Sequence, residues 1–144
     1  MAVPYVYVAG PLFNTHERWF IERIAEALEK EGYRTYVPHR DAGVAGEDPN
    51  ETPDQFFKRI FDADLKAMIA ADFATALLTG QDVDSGTASE IGWLSAKGKP
   101  VYGISDDIRG PVNIMLWGFC GEGRYLSKNI DDLMAHVRAN HPIG

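Results

Sequence analysis

Short apolar runs and helix-period segments alternate along this chain, and that alternation leaves few folds open to it. Residues 5–9 form an apolar run that stops at Gly10-Pro11, as a strand buried on both faces does. The period then changes. Trp19, Phe20, Ile24, Ala27 and Leu28 recur at helical spacing among Glu, Arg and Lys, and Gly32 supplies the stop. Residues 33–37 read as the second strand, closed by Pro38. Thr52-Pro53-Asp54-Gln55 combines an N-cap, a proline at the first helical position and the glutamine of a capping box, and predicts a helix to about Ala71. Residues 73–78 are the third strand, 86 to about 97 the next helix, and 100–104 the fourth strand. A short strand over 124–126 and a helix from Ser127 to about Asn140, with Ser127 as its cap, close the series.

Such a series predicts a parallel sheet with helices on both faces, and right-handed crossovers restrict its strand order. We expect an α/β single domain over residues 1–144, built on a five-stranded doubly wound sheet in the flavodoxin-like order 2-1-3-4-5. A Rossmann-like order is the alternative. The loosest stretch, 41–53, is rich in Gly, Pro, Asp and Glu and reads as a loop inside the domain. In sheets of this kind ligands bind beyond the carboxyl ends of the strands, where the winding reverses between strands 1 and 3. The segment from Ala9 to Phe13 leaves the first of these strands, and Asp84-Ser85-Gly86-Thr87 follows the third, so both are expected to line one crevice.

Composition removes several function classes. A net charge of -7 and a pI near 5.0 argue against a nucleic-acid partner, which needs a basic footprint to displace counterions. No apolar run approaches the ~20 residues that span a bilayer, so no membrane role is expected. The first residues lack the basic and apolar segments of a secretory signal, and Cys120 is the one cysteine, which makes the cytoplasm the default compartment. His16, His39, His136 and His141 show no metal-ligand spacing, and no metal or cofactor is implied. Neither Gly-x-Gly-x-x-Gly nor Gly-x-x-x-x-Gly-Lys-Ser/Thr occurs, so dinucleotide and nucleoside triphosphate sites have no support. A receiver domain would want an acidic pair after strand 1, where this chain has Ala9-Gly10-Pro11-Leu12.

Carboxylates carry the chemistry that remains. Asp84 and Glu90 flank a run of small residues, Gly86 among them, that leaves room for a ligand against the backbone. Glu90 falls in the second turn of its helix, where the macrodipole favours an ionised carboxylate, as a nucleophile requires; an ordinary helix-stabilising glutamate is the competing reading. Asp84 serves equally as a helix N-cap. Asp64 shares the apolar face of its helix with Ile60, Phe61 and Met68, where desolvation raises a carboxyl pKa and suits a proton donor, unless it hydrogen-bonds a loop or caps a neighbouring element. Asp62 falls with Lys58 and Lys66 on the solvated side. A carboxylate cluster of this kind resembles the arrangement by which retaining glycosidases cut a bond at an anomeric carbon. Packing explains Tyr7 on local grounds. Phe13, after Gly-Pro, either covers a planar ligand or staples onto the next helix.

With Tyr7-Val8-Ala9-Gly10-Pro11-Leu12-Phe13, the helix carrying Asp64-Leu65, the stretch from Asp84 to Gly92, and Asn113-Ile114-Met115-Leu116-Trp117-Gly118 in order, the chain resembles the nucleoside 2-deoxyribosyltransferases over nearly its whole length. The resemblance implies a flavodoxin-like enzyme that swaps the base on a 2'-deoxyribonucleoside, with 2'-deoxyribonucleosides and free nucleobases as its small-molecule partners. It implies Glu90 as the nucleophile at C1', Asp64 as the carboxyl that exchanges a proton with the base, and Tyr7 as the group that orients the nucleophile. Asp84 would hold sugar hydroxyls, Gly10 and Gly86 would border the substrate, and Phe13 would form an aromatic wall. Asn113 and Met115 match residues lent to a neighbouring subunit, which implies a homo-oligomer, a hexamer or other dimer-based assembly. Some members place a base-contacting glutamine after strand 2, where this chain has His39, Arg40 and Asp41. Two rivals stand beside this reading: a related hydrolase of deoxynucleoside 5'-monophosphates, and a nucleotide-sensing module without catalysis.

Overall fold

A computed structural model describes residues 2–43, 46–80, 82–107 and 110–144. Five parallel strands, β1 (Tyr5–Ala9), β2 (Arg34–Tyr36), β3 (Phe73–Leu77), β4 (Val101–Ile104) and β5 (Leu126–Ser127), form one sheet in the order β2-β1-β3-β4-β5. The flavodoxin-like order is therefore correct and the Rossmann-like alternative falls away. Parallel strands must be joined over a face of the sheet, and the helices α1 (Thr15–Lys30), α2 (Pro38–Asp41), α3 (Pro53–Ala70), α4 (Ser85–Ala96) and α5 (Ile114–Phe119) lie in those connections, with α6 (Ile130–Asn140) following β5.

Period-2 alternation along the strands sorts the core into two layers. Val6, Val8, Phe73, Leu77, Tyr102 and Ile104 face one side, where Ile21, Ile24 and Leu28 of α1 and Leu133 and Val137 of α6 cover them. Tyr7, Ala9, Ala74, Ala76 and Val101 face the other, under Ala67 and Met68 of α3, Ile91 and Leu94 of α4 and Leu116 of α5. β3 is buried at all of its residues, as expected for the centre of a doubly wound sheet.

The capping box at α3 is formed in full. Thr52 Oγ1 accepts from Gln55 N at 3.2 Å, and Gln55 Oε1 accepts from Thr52 N at 2.9 Å. At the other end of α3, Lys99 Nζ donates to the carbonyls of Met68, Ile69 and Ala71 at 2.9, 2.6 and 2.6 Å, so a cation satisfies acceptors the helix itself leaves open. Asp62 is exposed and pairs with Lys58 at 2.6 Å, the solvated position expected for it.

One local expectation needs correction. Ser127 does not cap the last helix; it lies in β5, and Asn129 accepts from Asp132 N at 2.8 Å as the N-cap of α6. The residues after β2 turn directly into α2, because Pro38 presets the helical φ at the first position. Residues 114–119, within the stretch that carries the family resemblance, form the short helix α5. Residues 44 and 45 of the expected loop over 41–53 lie outside the described residues, as does residue 81 on the approach to α4.

Candidate active site

The crevice between β1 and β3 opens into a cavity of about 530 Å³ at the carboxyl ends of these strands, a size ordinary for small-molecule sites. Gly10, Leu12 and Phe13 come from the loop after β1, Phe61, Asp64, Leu65 and Met68 from α3, and Asp84, Gly86, Ser89, Glu90 and Trp93 from the start and body of α4; Pro38 closes one side. Glycine suits residue 10, where φ is +157°: a Cβ at that position would lie 2.4 Å from Ile21 Cδ1 and 3.0 Å from Leu77 Cβ, so both neighbours would have to give way.

Glu90 stands on the wall of the cavity, half-buried. The hydroxyl of Tyr7, a fully buried residue of β1, donates to its Oε2. Burial above all pushes the Glu90 carboxyl up, the Tyr7 hydrogen bond pulls it down and the negative charges of Asp64 and Asp84 add to the rise, which leaves it at about 7. Desolvation and two like charges thus oppose the ionisation that the macrodipole favours. Tyr7 itself is held well above the usual phenol range by its burial and by Glu90, so it stays a hydroxyl donor.

Asp64 faces the same cavity from α3. Its Oδ1 accepts from the Tyr36 hydroxyl at 2.8 Å, a partner on neither a loop nor a helix end. Burial raises its carboxyl above the ordinary range, in the direction expected of a proton donor. Asp84 does both things the sequence allows: Oδ2 accepts from Thr87 N and Thr87 Oγ1, each at 3.0 Å, as the N-cap of α4, and the residue still lines the cavity.

Phe13 is 77% exposed, which excludes a staple against α1; its backbone N–H instead donates to Glu17 while Asn14 caps the helix. The exposed ring stands at the mouth of the cavity. Asn113 and Met115 do not line this cavity. Asn113 Oδ1 caps α5 through Met115 N at 2.9 Å, and Met115 and its neighbour Ile114 point their side chains into solvent. His39 and Arg40 turn away to pair with Glu22 and Glu29 at 2.9 and 2.8 Å. Tyr36 was missed as a site residue, as were the cavity walls Trp93 and Pro38; for Tyr36 the available signal was the inward position that β2 shares with Tyr7. No group of His, Cys, Asp or Glu able to hold a metal occurs among the described residues, and no described helix is long and apolar enough to cross a membrane.

Sheet order, the cavity at the winding reversal and the paired carboxylates define a flavodoxin-like α/β protein of the kind that acts on a small ligand at its strand ends. The family model of nucleoside 2-deoxyribosyltransferases matches residues 6–134, and the chain belongs to that family. Among solved structures it is similar to a conserved protein from Enterococcus faecalis V583, with 24% identity, TM-score 0.81 and coverage of 96% of this chain and 99% of that one. It is similar also to a 2-deoxyribosyltransferase from Bacillus psychrosaccharolyticus, with 23% identity, TM-score 0.79 and 96% of each chain covered. A CMP N-glycosidase from Clostridium botulinum is more distant, at 20% identity and TM-score 0.57 over 94% of this chain and 98% of that one. At these identities the likeness shows a shared fold. No curated relative matches the chain.

Proposed function

We propose that the protein transfers 2-deoxyribose between purine or pyrimidine bases through a covalent glycosyl-glutamate intermediate, with net retention at the anomeric carbon. The observation that carries this reading is Glu90: a half-buried carboxylate on a cavity wall, held by the Tyr7 hydroxyl and faced by the carboxyls of Asp64 and Asp84. In the state that reacts, the proton shared by the two carboxyls sits on Asp64 and Glu90 is the carboxylate; in the first half-reaction a lone pair of Glu90 forms the bond to C1' as the C1'–N bond breaks, and the departing base takes its proton from Asp64. In the second, the incoming base attacks C1', returns a proton to Asp64 and releases the Glu90 carboxylate. Asp84 spends Oδ2 on Thr87 and keeps Oδ1 for a sugar hydroxyl, while Phe13 provides a wall for the planar base. Asn113, the N-cap of α5, and Met115 in its first turn, both exposed, are the groups this reading assigns to the cavity of a neighbouring subunit in a homo-oligomer.

The N-glycosidase alternative must hold a 5'-phosphate. Among the described residues lining the cavity there is no lysine, arginine or histidine, and three carboxylates would repel a phosphate. This favours nucleosides over nucleotides as substrates. Deoxyinosine supplied with and without free adenine tests the choice. Deoxyadenosine is expected with adenine present, and hypoxanthine release indifferent to adenine would select hydrolysis.

Tyr7→Phe tests the clamp on the nucleophile. With a 2-fluoro-arabinosyl donor carrying 2,4-dinitrophenolate, a leaving group that departs without a proton, trapping depends on ionised Glu90 alone. The pH midpoint of trapping is expected near 7 in the wild type and above it in Tyr7→Phe, because a hydrogen bond that favours the charged form has been removed. An unmoved midpoint would mean that the hydroxyl does not act on Glu90.

A further inference from the structure

Two tyrosines from neighbouring strands stand side by side beneath the cavity, and the proposed reaction gives a task to only one of them. Tyr7 of β1 and Tyr36 of β2 are partners in register, and their rings stack at 5.6 Å with planes 21° apart. Tyr7 donates to Glu90, and Tyr36 donates to Asp64 Oδ1 at 2.8 Å. Each carboxyl to which the reaction assigns a step is therefore held by its own phenol, and the two phenols brace one another. Tyr36 is 8% exposed, and a side chain needed only for packing there would be served by phenylalanine.

Resting on the transfer reading above, we propose that Tyr36 is the positioning residue of the proton exchange with the base: it holds Oδ1 of Asp64, so that the proton travels on Oδ2, and it stabilises the Asp64 carboxylate that appears as the base departs. The step balances. The C1'–N electron pair goes to the base nitrogen, the proton on Oδ2 follows it, and the charge lost by Glu90 on forming its ester reappears on Asp64 against the Tyr36 hydroxyl. Stabilisation of this kind is stronger after the bond breaks than before, which is the condition for it to speed the reaction. Asp64 is faced by Tyr36 from β2, Tyr7 from β1, and Glu90 and Asp84 from α4, with Asp41 and Tyr5 acting on Tyr36 from behind. Burial raises the Asp64 carboxyl and the Tyr36 hydrogen bond opposes that rise, so the phenol keeps the proton releasable.

Tyr36→Phe retains the ring and its stack on Tyr7. Transfer from deoxyinosine to adenine is expected to fall roughly tenfold or more, the effect of losing a hydrogen bond to a charged group. The loss should shrink with the dinitrophenolate donor, which needs no proton. It should also vanish in the Asp64→Asn background, since a residue acting through Asp64 has nothing further to lose there. In carboxyl-labelled protein the Asp64 resonance, assigned by its absence from Asp64→Asn, should titrate at higher pH once Tyr36 is phenylalanine. The wild type supplies a reading that needs no variant at position 36: the Cζ resonance of Tyr36 should follow the titration of Asp64. Additive losses in the double variant, or a Tyr36 resonance indifferent to Asp64, would leave Tyr36 a packing residue. A wild type that releases no base from deoxyinosine would remove the parent reading and this role with it, and the two failures are told apart because the resonances do not depend on turnover.

Discussion

Glu90→Gln is expected to lower deoxyribosyl transfer at least ~10³-fold, because covalent catalysis loses its nucleophile while the cavity keeps its shape. The same substitution should stabilise the protein. In the folded state Glu90 is raised to about 7 from an ordinary value of 4.5. The folded protein therefore binds this proton more tightly than the unfolded chain, so the contribution of Glu90 is fully present below pH 4.5 and is lost as pH rises through 7. Glutamine carries no such dependence. Above pH 7 the difference amounts to about 3 kcal/mol at most, and Glu90→Gln should melt several degrees higher than the wild type at pH 8, with the gap closing toward pH 4.5. Opposite signs for activity and stability are what a strained functional carboxylate produces. A sensing module would lose neither turnover nor ligand binding in this variant, and full transfer activity in it would remove the glutamyl intermediate altogether.

The fold was legible because its signals are local and repeated. The apolar run at 5–9, the change of period at α1 and the capping box at Thr52 are each readable within a few residues, and their alternation leaves a parallel sheet as the way to bury them together. What escaped is short or ambiguous. α2 and α5 span four and six residues, too few to establish a helical period. Ser127 and Asn129 are both good N-caps, and the pairing of β5 with β4, which no local pattern reveals, takes Ser127 into the sheet.

At the site the division is different. Residue types and positions in sequence were enough to single out Glu90, Asp64 and Asp84, but not the state in which they sit. The protonation of Glu90 depends on burial and on charges arriving from α3 and from the start of α4, and a macrodipole argument confined to one helix misses both. Tyr36 escaped for a related reason. An inward tyrosine on a strand reads as packing, and only the packing of α3 over β2 puts Asp64 within reach of its hydroxyl. Asn113 and Met115 remain readable only by resemblance, since they are exposed and away from the cavity of their own chain.

Asp64→Asn separates proton transfer from nucleophilic attack. Asparagine keeps a carbonyl to accept from Tyr36, so the α3–β2 contact survives while the exchangeable proton is gone. General acid–base catalysis contributes about 10²–10⁴-fold, and a loss in that range is expected for transfer from deoxyinosine to adenine, where the hypoxanthine needs a proton to depart. With the dinitrophenolate donor the chemistry needs no acid, so trapping at Glu90 should proceed nearly as in the wild type. Its pH midpoint should move as well. The charge of Asp64 is one of the causes that raise Glu90, and removing it should bring the midpoint below about 7, opposite to the shift expected for Tyr7→Phe. A variant that lost both reactions equally would place Asp64 in binding or folding rather than in proton exchange. One that lost neither would remove Asp64 from the proton exchange and leave the base to find its proton elsewhere in the cavity.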